Sequence, residues 1–326
     1  MKSLVLYYSQ TGNTEKVARA IQTGIAAAAG QCDIGFIKLG ETSVDSLQEY
    51  DLIGVGAPAF LFLEPGNVAV FLKTFGPLAG KDSFIFTTSA GHPGNTLPSM
   101  ENRLTRAGLR VLGGFSCDGQ YFLPHRFSPW FTDGHPDKID LRLAADFGRE
   151  MVDKKTRLDQ GKKAPLAHFP YLKGGIYHDI SVSRAALTSH LKWTFNREKC
   201  TFPKCRLCMD NCPMNCIDLA AEPVVFQGRG CIHCYFCEQL CPTGAVNYPE
   251  GMLPTMHQYF SDIVHKYRYP EWFKKAEKHT MEHRTTLYRR AGAPVDLEDP
   301  NKAAFKVSPQ RPRIPKKLIA DRRPGK

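Results

Sequence analysis

Nine of the eleven cysteines fall between residues 200 and 241. The later run reads Cys231-Ile232-His233-Cys234-Tyr235-Phe236-Cys237-Glu238-Gln239-Leu240-Cys241-Pro242. Its C-x2-C-x2-C-x3-C-P spacing suits an iron–sulfur cubane: three close thiolates wrap one cube, and the fourth, before proline, ligates a second. An earlier run supplies the partner set, Cys200-x4-Cys205-x2-Cys208-x3-Cys212-Pro213. On this pattern Cys231, Cys234, Cys237 and Cys212 hold one [4Fe–4S] cluster, and Cys200, Cys205, Cys208 and Cys241 hold the other. Two clusters make an electron path.

The runs are internal repeats, since Cys212-Pro-Met-Asn-Cys216-Ile217 aligns with Cys241-Pro-Thr-Gly-Ala245-Val246. The four residues between Cys200 and Cys205 exceed the standard two, so Thr201 to Lys204 must loop out. Cys216 is therefore either an alternative to Cys200 or a small buried thiol beside a cluster. A zinc ribbon built from paired C-x2-C sites leaves the longer run unexplained. His233, between ligands, either tunes its cluster or faces water. Phe202, Tyr235 and Phe236 are expected to shield the clusters from solvent.

A second chemical feature lies near the start. Ser9-Gln10-Thr11-Gly12-Asn13-Thr14 joins an apolar strand to a helix. Hydroxyls and backbone amides at a helix N-terminus form an anion site, and the glycine permits close backbone approach. With no Lys or Arg the loop is not a Walker loop; it suits a phosphate monoester held by neutral donors. The competing reading is a plain helix cap by Thr11 or Asn13. Gly54-x-Gly56 lacks the third glycine of a dinucleotide fingerprint. Two further loops follow strands: Ala57-Pro58-Ala59-Phe60-Leu61-Phe62, and Ser89-Ala90-Gly91-His92-Pro93-Gly94-Asn95. One aromatic and one glycine-rich loop suit the two sides of a flat ring, with Phe60 or Phe62 stacking, unless both phenylalanines are simply packing.

The elements that must position these loops alternate. Apolar runs predict strands over residues 4–8, 34–39, 52–55, 83–87 and 109–117. Helical periodicity predicts helices over 13–29, 68–75, 97–107 and 139–152. Such alternation implies a parallel sheet covered on both faces, with ligands at its carboxyl edge. The domains expected are 1–153, a connector 154–197 with a helix over 183–195, the cysteine region 198–253, and a proline-containing tail 254–326 with a helix over 271–290. The aromatic segment 121–131 follows the fifth strand and lids the ligand edge, packs on the cysteine domain, or fills a loop. His125, His135, His178 and His190 show no metal spacing, and Cys32 and Cys117 read as buried thiols.

At 326 residues and 42% hydrophobic, the chain can bury two cores. Met1 runs directly into a strand without a leader pattern, no apolar run reaches membrane length, and clustered cysteines fit a reducing compartment. A cytoplasmic location is expected. The net charge of +11 is uneven: residues 1–150 carry −2, residues 151–253 carry +4 and residues 254–326 carry +9. A basic tail with Trp272, Phe273 and tyrosines fits docking on an acidic redox partner or on the chain itself better than a membrane surface or nucleic acid.

Residues 1–152 resemble a flavodoxin, and the whole order resembles the flavodoxin–ferredoxin fusion proteins of anaerobes (EFR-type). The matching residues are Thr11 to Thr14, Ala57-Pro58, Ser89 to Asn95, Gly113-Gly-Phe-Ser-Cys117, Gly134-His-Pro-Asp137, Phe147-Gly148 and, past the cysteines, Lys266-Tyr-Arg-Tyr-Pro270. The resemblance implies a flavodoxin-like doubly wound parallel sheet of order 2-1-3-4-5, a small α+β dicluster ferredoxin domain and an extended basic tail. It implies FMN held by Ser9 to Thr14, Pro58 to Phe62, and Ser89 to His92 with Gly94 and Asn95, together with two [4Fe–4S] clusters. The function expected is electron transfer between clusters and flavin, as a carrier or a subunit serving a ferredoxin-type donor or an acceptor enzyme. The alternative is a stand-alone ferredoxin-linked reductase of a small substrate, with His92 as its one acid candidate.

Overall fold

The computed structural model describes residues 1–37, 45–76, 78–90, 93–120, 127–128, 132, 134–172, 194–222, 224–226, 230–247 and 306–307. The predicted helices over 183–195 and 271–290, and most of the 121–131 segment, lie largely or wholly outside these.

Five parallel strands form one sheet: β1 (Ser3–Tyr7), β2 (Cys32–Phe36), β3 (Leu52–Pro58), β4 (Asp82–Ser89) and β5 (Arg110–Asp118). Their order is β2-β1-β3-β4-β5. Every residue of β1 and β4 is buried, as apolar runs sandwiched between helix layers require. The two-residue side-chain period divides β1 between two cores. Leu4 and Leu6 face one with Val55 and Ile85; Val5 and Tyr7 face the other with Phe84 and Phe86. The first is covered by α2 (Gly66–Lys73) and α3 (Thr96–Arg106), through Val68, Phe71, Leu97 and Leu104. The second is covered by α1 (Asn13–Ala29) and α4 (Lys138–Asp159), through Val17, Ile21, Ile25, Phe147 and Met151. Full burial of one such side chain contributes about 1.5–3 kcal/mol.

The Gly54-x-Gly56 spacing is explained by packing. A Cβ on Gly54 would meet the Phe84 ring at 2.1 Å, and one on Gly56 the Phe86 ring at 2.0 Å. The two rings lie across β3, and glycine is the residue that lets them.

α4 begins in a capping box: Asp137 accepts from the amides of Ile139 and Asp140, and Asp140 accepts from the amide of Asp137. It runs seven residues past the predicted end, where Lys154, Lys155, Arg157 and Leu158 are good helix formers and Lys155 ties it to Asp82 of β4 and to Asp159. The chain then returns as a strap. The Ala167 amide donates to the Val111 carbonyl, the Phe169 amide to Glu101, and the Leu172 amide to Asn95 Oδ1 at 2.7 Å.

The cysteine region is small and nearly repeated. Helix α5 (Leu207–Asp210) carries Cys208, and α6 (Phe236–Leu240) carries Cys237. β7 (Thr194–Phe195) pairs antiparallel with β8 (Val246–Asn247). Thr194 and Phe195 are thus strand where a helix was expected: pairing with Val246 and Asn247 overrides their helical spacing. In the tail, β9 (Lys306–Val307) pairs antiparallel with β6 (Phe127–Ser128). Among the described residues no helix is long and apolar enough to cross a membrane.

Candidate cofactor sites

The first site sits at the carboxyl edge of the sheet, where β1 neighbours both β2 and β3 and the order of connection reverses. α1 starts at Gly12, whose φ of 93° lies in the left-handed region, and no side chain caps it. The plain-cap reading therefore fails for Thr11 and Asn13. Asn13 instead donates from Nδ2 to the Gln120 carbonyl at 3.0 Å. The loop braces itself: Ser9 Oγ accepts the Gly12 amide at 3.1 Å, the Tyr8 hydroxyl donates to Gln10 Oε1, and the Thr14 and Thr88 hydroxyls meet at 2.8 Å. Ser9, Gln10, Asn13 and Thr14 are buried. Gly12 at the N-cap offers the first-turn amides of α1 no side-chain acceptor, and the positive end of the helix dipole lies behind them.

Residues 58–61 are half-buried in the loop after β3. Phe60 bridges Leu63 through the backbone, and Leu61 and Phe62 turn the chain at φ of 51° and 65°. Phe62 is buried against Gly94, where a Cβ would lie 2.2 Å from its own Cβ; its carbonyl accepts the Asn95 amide. Phe62 and Gly94 thus hold two loops together, while Asn95 is engaged by the strap through Leu172. Phe60, half-buried, is the better placed of the two rings to meet a flat ligand. Ser89 ends β4 fully buried, and its Oγ has no partner among the described residues; Ala90 follows it, half-buried. Gly91 and His92 lie outside the described residues. A bare helix N-terminus, a glycine-permitted close approach and a buried hydroxyl lacking a partner fit a phosphate with a ring beside it, as FMN has.

The second site is a cavity lined by Cys212, Cys231, Cys234 and Cys237 together with Cys216 and Ile232. All four cysteines of one predicted cluster set meet there. The other set gathers around Cys208, whose thiol is raised to about 11 by burial and by the charges of Cys241, Cys200 and Cys205. Burial pushes Cys234 up to about 12, with Cys231 and Cys212 adding to it, and Cys237 is raised for the same reasons. Thiols crowded and buried in this way resist ionising unless a cationic centre sits among them; iron–sulfur cores supply one. At Cys241 burial acts the same way, but hydrogen bonds from Thr243 and the following amides outweigh it and lower the thiol.

The repeat shown by the cysteines extends into the backbone. The Cys216 amide donates to Cys212 Sγ at 3.2 Å, and the Ala245 amide to Cys241 Sγ at 3.2 Å. Asn215 and Gly244, each one residue earlier, both have positive φ, 51° and 66°. Asp218 bridges Val225 as Asn247 pairs with Thr194. Cys216 is buried among Cys212 and Cys231, away from the set that contains Cys200. The backbone amide of His233 donates to Cys231 Sγ at 3.4 Å, a contact of the kind that tunes cluster potential. Tyr235 and Phe236 are buried beside the cysteines, and Phe202 lies half-buried under Arg197.

One cluster of polar groups escaped sequence reasoning. The ligand atoms of His135, Asp137 and Asp140 lie within 4.8 Å of one another. Both aspartates are spent on the α4 capping box, and His135 Nδ1 meets Asp140 Oδ2 at 2.5 Å, so the group is a helix cap. The Asp137-x-x-Asp140 spacing was its available signal.

A family model for flavodoxin matches residues 5–123, and one for a 4Fe-4S dicluster domain matches residues 188–245. The flavodoxin of Megasphaera elsdenii is 30% identical over 112 residues, 33% of this chain and 80% of that protein. A ferredoxin of Methanothermococcus thermolithotrophicus is 33% identical over 58 residues, 18% of this chain and 97% of that protein. An NAD(P)H dehydrogenase (quinone) of Acidovorax ebreus (strain TPSY) is 31% identical over 150 residues, 37% of this chain and 75% of that protein. A flavodoxin domain thus precedes a 4Fe-4S dicluster domain in one polypeptide, and the chain belongs to the flavodoxin–ferredoxin fusion proteins, a flavin and iron–sulfur electron-transfer oxidoreductase.

Proposed function

We propose that this protein passes electrons between two [4Fe–4S] clusters and FMN, as a carrier or as the electron-transfer subunit of a partner redox enzyme. What supports the reading is the cavity lined by Cys212, Cys231, Cys234 and Cys237, with Cys241, Cys200 and Cys205 near enough to Cys208 to raise its thiol, in the chain that also carries the Gly12 loop. When bound, the clusters supply one-electron exchange and the flavin exchange in ones or twos.

The residues bind, orient and exclude water. Ser9 to Thr14 offer amides and hydroxyls to a phosphate, and the Tyr8–Gln10 and Thr14–Thr88 bonds hold that loop in place. Pro58 to Phe62 form one side of the ring site, with Phe60 as its aromatic. Ser89, Ala90, Gly94 and Asn95 form the other, Ser89 Oγ offering a buried hydroxyl. Amides of Cys216, Ala245 and His233 hold sulfur charge at both clusters. The basic tail favours an acidic redox partner, and the cytoplasm is the compartment that suits eight reduced thiols.

The relative from Acidovorax ebreus, named for NAD(P)H and quinone, supports a second reading: a stand-alone reductase acting on a small acceptor at the flavin. Steady-state turnover with a reduced ferredoxin and a panel of quinones, set beside recovery of a stoichiometric partner from native extract, separates the two. A stoichiometric partner with negligible quinone turnover supports the carrier; turnover at tens per second without a partner overturns it.

A further inference from the structure

Ile232 stands in two environments. It follows Cys231, and it lines the cavity of Cys212, Cys231, Cys234 and Cys237. It also packs against the flavodoxin core that contains Tyr8, Ala57, Val68 and Phe71. The contact is close at Gly66, the first residue of α2, where a Cβ would lie 3.1 Å from Ile232 Cγ2. Gly66 comes four residues after Phe62, at the end of the loop that follows β3, and Phe60 of that loop packs on the same core. The other cysteine set has a different setting. Arg197, Lys199, Lys204 and Arg206 are exposed around Cys200 and Cys205, against Glu198 and Asp210, so this rim is net positive.

Resting on the electron-transfer reading above, we propose that the Cys212, Cys231, Cys234 and Cys237 centre is the flavin-side cluster, docked by Ile232 on Gly66, and that the Cys200, Cys205, Cys208 and Cys241 centre is the outer cluster, which receives an acidic one-electron carrier protein on the Arg197–Lys199–Lys204–Arg206 rim. The order is carrier, outer centre, inner centre, flavin. Each transfer moves one electron: the reduced carrier is oxidised, the centres are reduced and reoxidised in turn, and the flavin is reduced. No bond in the chain forms or breaks, and a proton from water balances the charge on the flavin. Ile232 is a positioning residue: its apolar side chain closes the gap between inner centre and flavin loop and keeps it dry.

The test is pulsed EPR on the loaded full-length protein, poised so that flavin radical and reduced cluster coexist. A nearby reduced cluster speeds magnetic relaxation of the radical. Gly66→Val and the bulkier Gly66→Leu, both on the flavodoxin side of the contact, are expected to keep flavin and iron content while slowing that relaxation several-fold. Cys208→Ala, which removes the outer centre, is expected to leave it unchanged. Fast relaxation that survives both contact variants, or is lost in Cys208→Ala alone, overturns the order. In a second arm, an acidic plant-type ferredoxin reduces the protein under stopped flow. Lys199→Glu with Lys204→Glu is expected to lower the second-order rate about tenfold at low salt with relaxation intact. An unchanged rate overturns the docking rim. Protein that binds neither flavin nor iron overturns the underlying reading, an outcome distinct from all of these.

Discussion

The amide of Cys216 donates to Sγ of Cys212 at 3.2 Å. That bond fixes Cys216 beside Cys212, in the place that Ala245 takes beside Cys241. It is burial beside Cys212 and Cys231 that raises the Cys216 thiol to about 12. Its own Sγ donates to the Met214 carbonyl at 3.5 Å, and the residue lines the cavity of Cys212, Cys231, Cys234 and Cys237. Cys216→Ala is therefore expected to retain the full iron content, about eight atoms per chain, because alanine keeps the amide. Cys200→Ser is expected to lose about half. Iron and sulfide analysis checks both, and an unchanged count in Cys200→Ser removes Cys200 from the ligand set.

Gly12 predicts a flavin phenotype. Its φ of 93° costs a residue with a Cβ about 1–2 kcal/mol, and the loop's first-turn amides move with it. Gly12→Val is expected to weaken FMN binding about tenfold or more and to leave iron content unaltered. Fluorescence titration of the flavin-stripped protein with FMN measures it.

Gly56 predicts a stability phenotype with no cofactor component. A methyl group there enters the Phe86 ring at 2.0 Å. Overpacking of this kind costs about 1–3 kcal/mol, so Gly56→Ala is expected to lower Tm by roughly 3–10 °C. A Gly56→Ala, Phe86→Leu double variant is expected to recover much of the loss, because the ring is what the methyl group meets.

The contrast between these two glycines shows what was legible in the sequence. The strands and helices follow from apolar periodicity, which burial enforces over five or more residues at a time, whereas the sheet order came with the flavodoxin resemblance. Gly12 was readable because its role is local, between a strand and a helix. Gly54 and Gly56 were not, because the rings that need them come from β4, some thirty residues away. That Cys212, Cys231, Cys234 and Cys237 come together around one cavity was readable from spacing. The dual position of Ile232 was not, since Gly66 belongs to the other domain. The 194–195 strand was missed because its partner, residues 246–247, comes after the cysteines. The cap at Asp137 and Asp140 was missed because its N3 position carries an Asp where the capping-box pattern has Glu or Gln.

His135 predicts a pH dependence. Burial opposes its charge, but the hydrogen bond it donates to Asp140 and the charges of Asp140, Asp118 and Asp137 outweigh burial and raise its pKa. A histidine raised on folding adds stability that is fully present below about 6.5, the unfolded value, and is lost as pH rises through the folded one. Chemical denaturation of the protein from pH 5.5 to 9 is expected to show that loss, and His135→Gln to flatten it. A His135→Gln curve with the same slope removes this pair as its source.

The central claim is that one chain carries a flavin and two iron–sulfur clusters. Anaerobic purification with extracted flavin, iron and sulfide counted against protein measures it directly. The account predicts about one FMN, eight irons and eight sulfides per chain. About four irons, stoichiometric zinc in place of iron, or protein without flavin contradicts it.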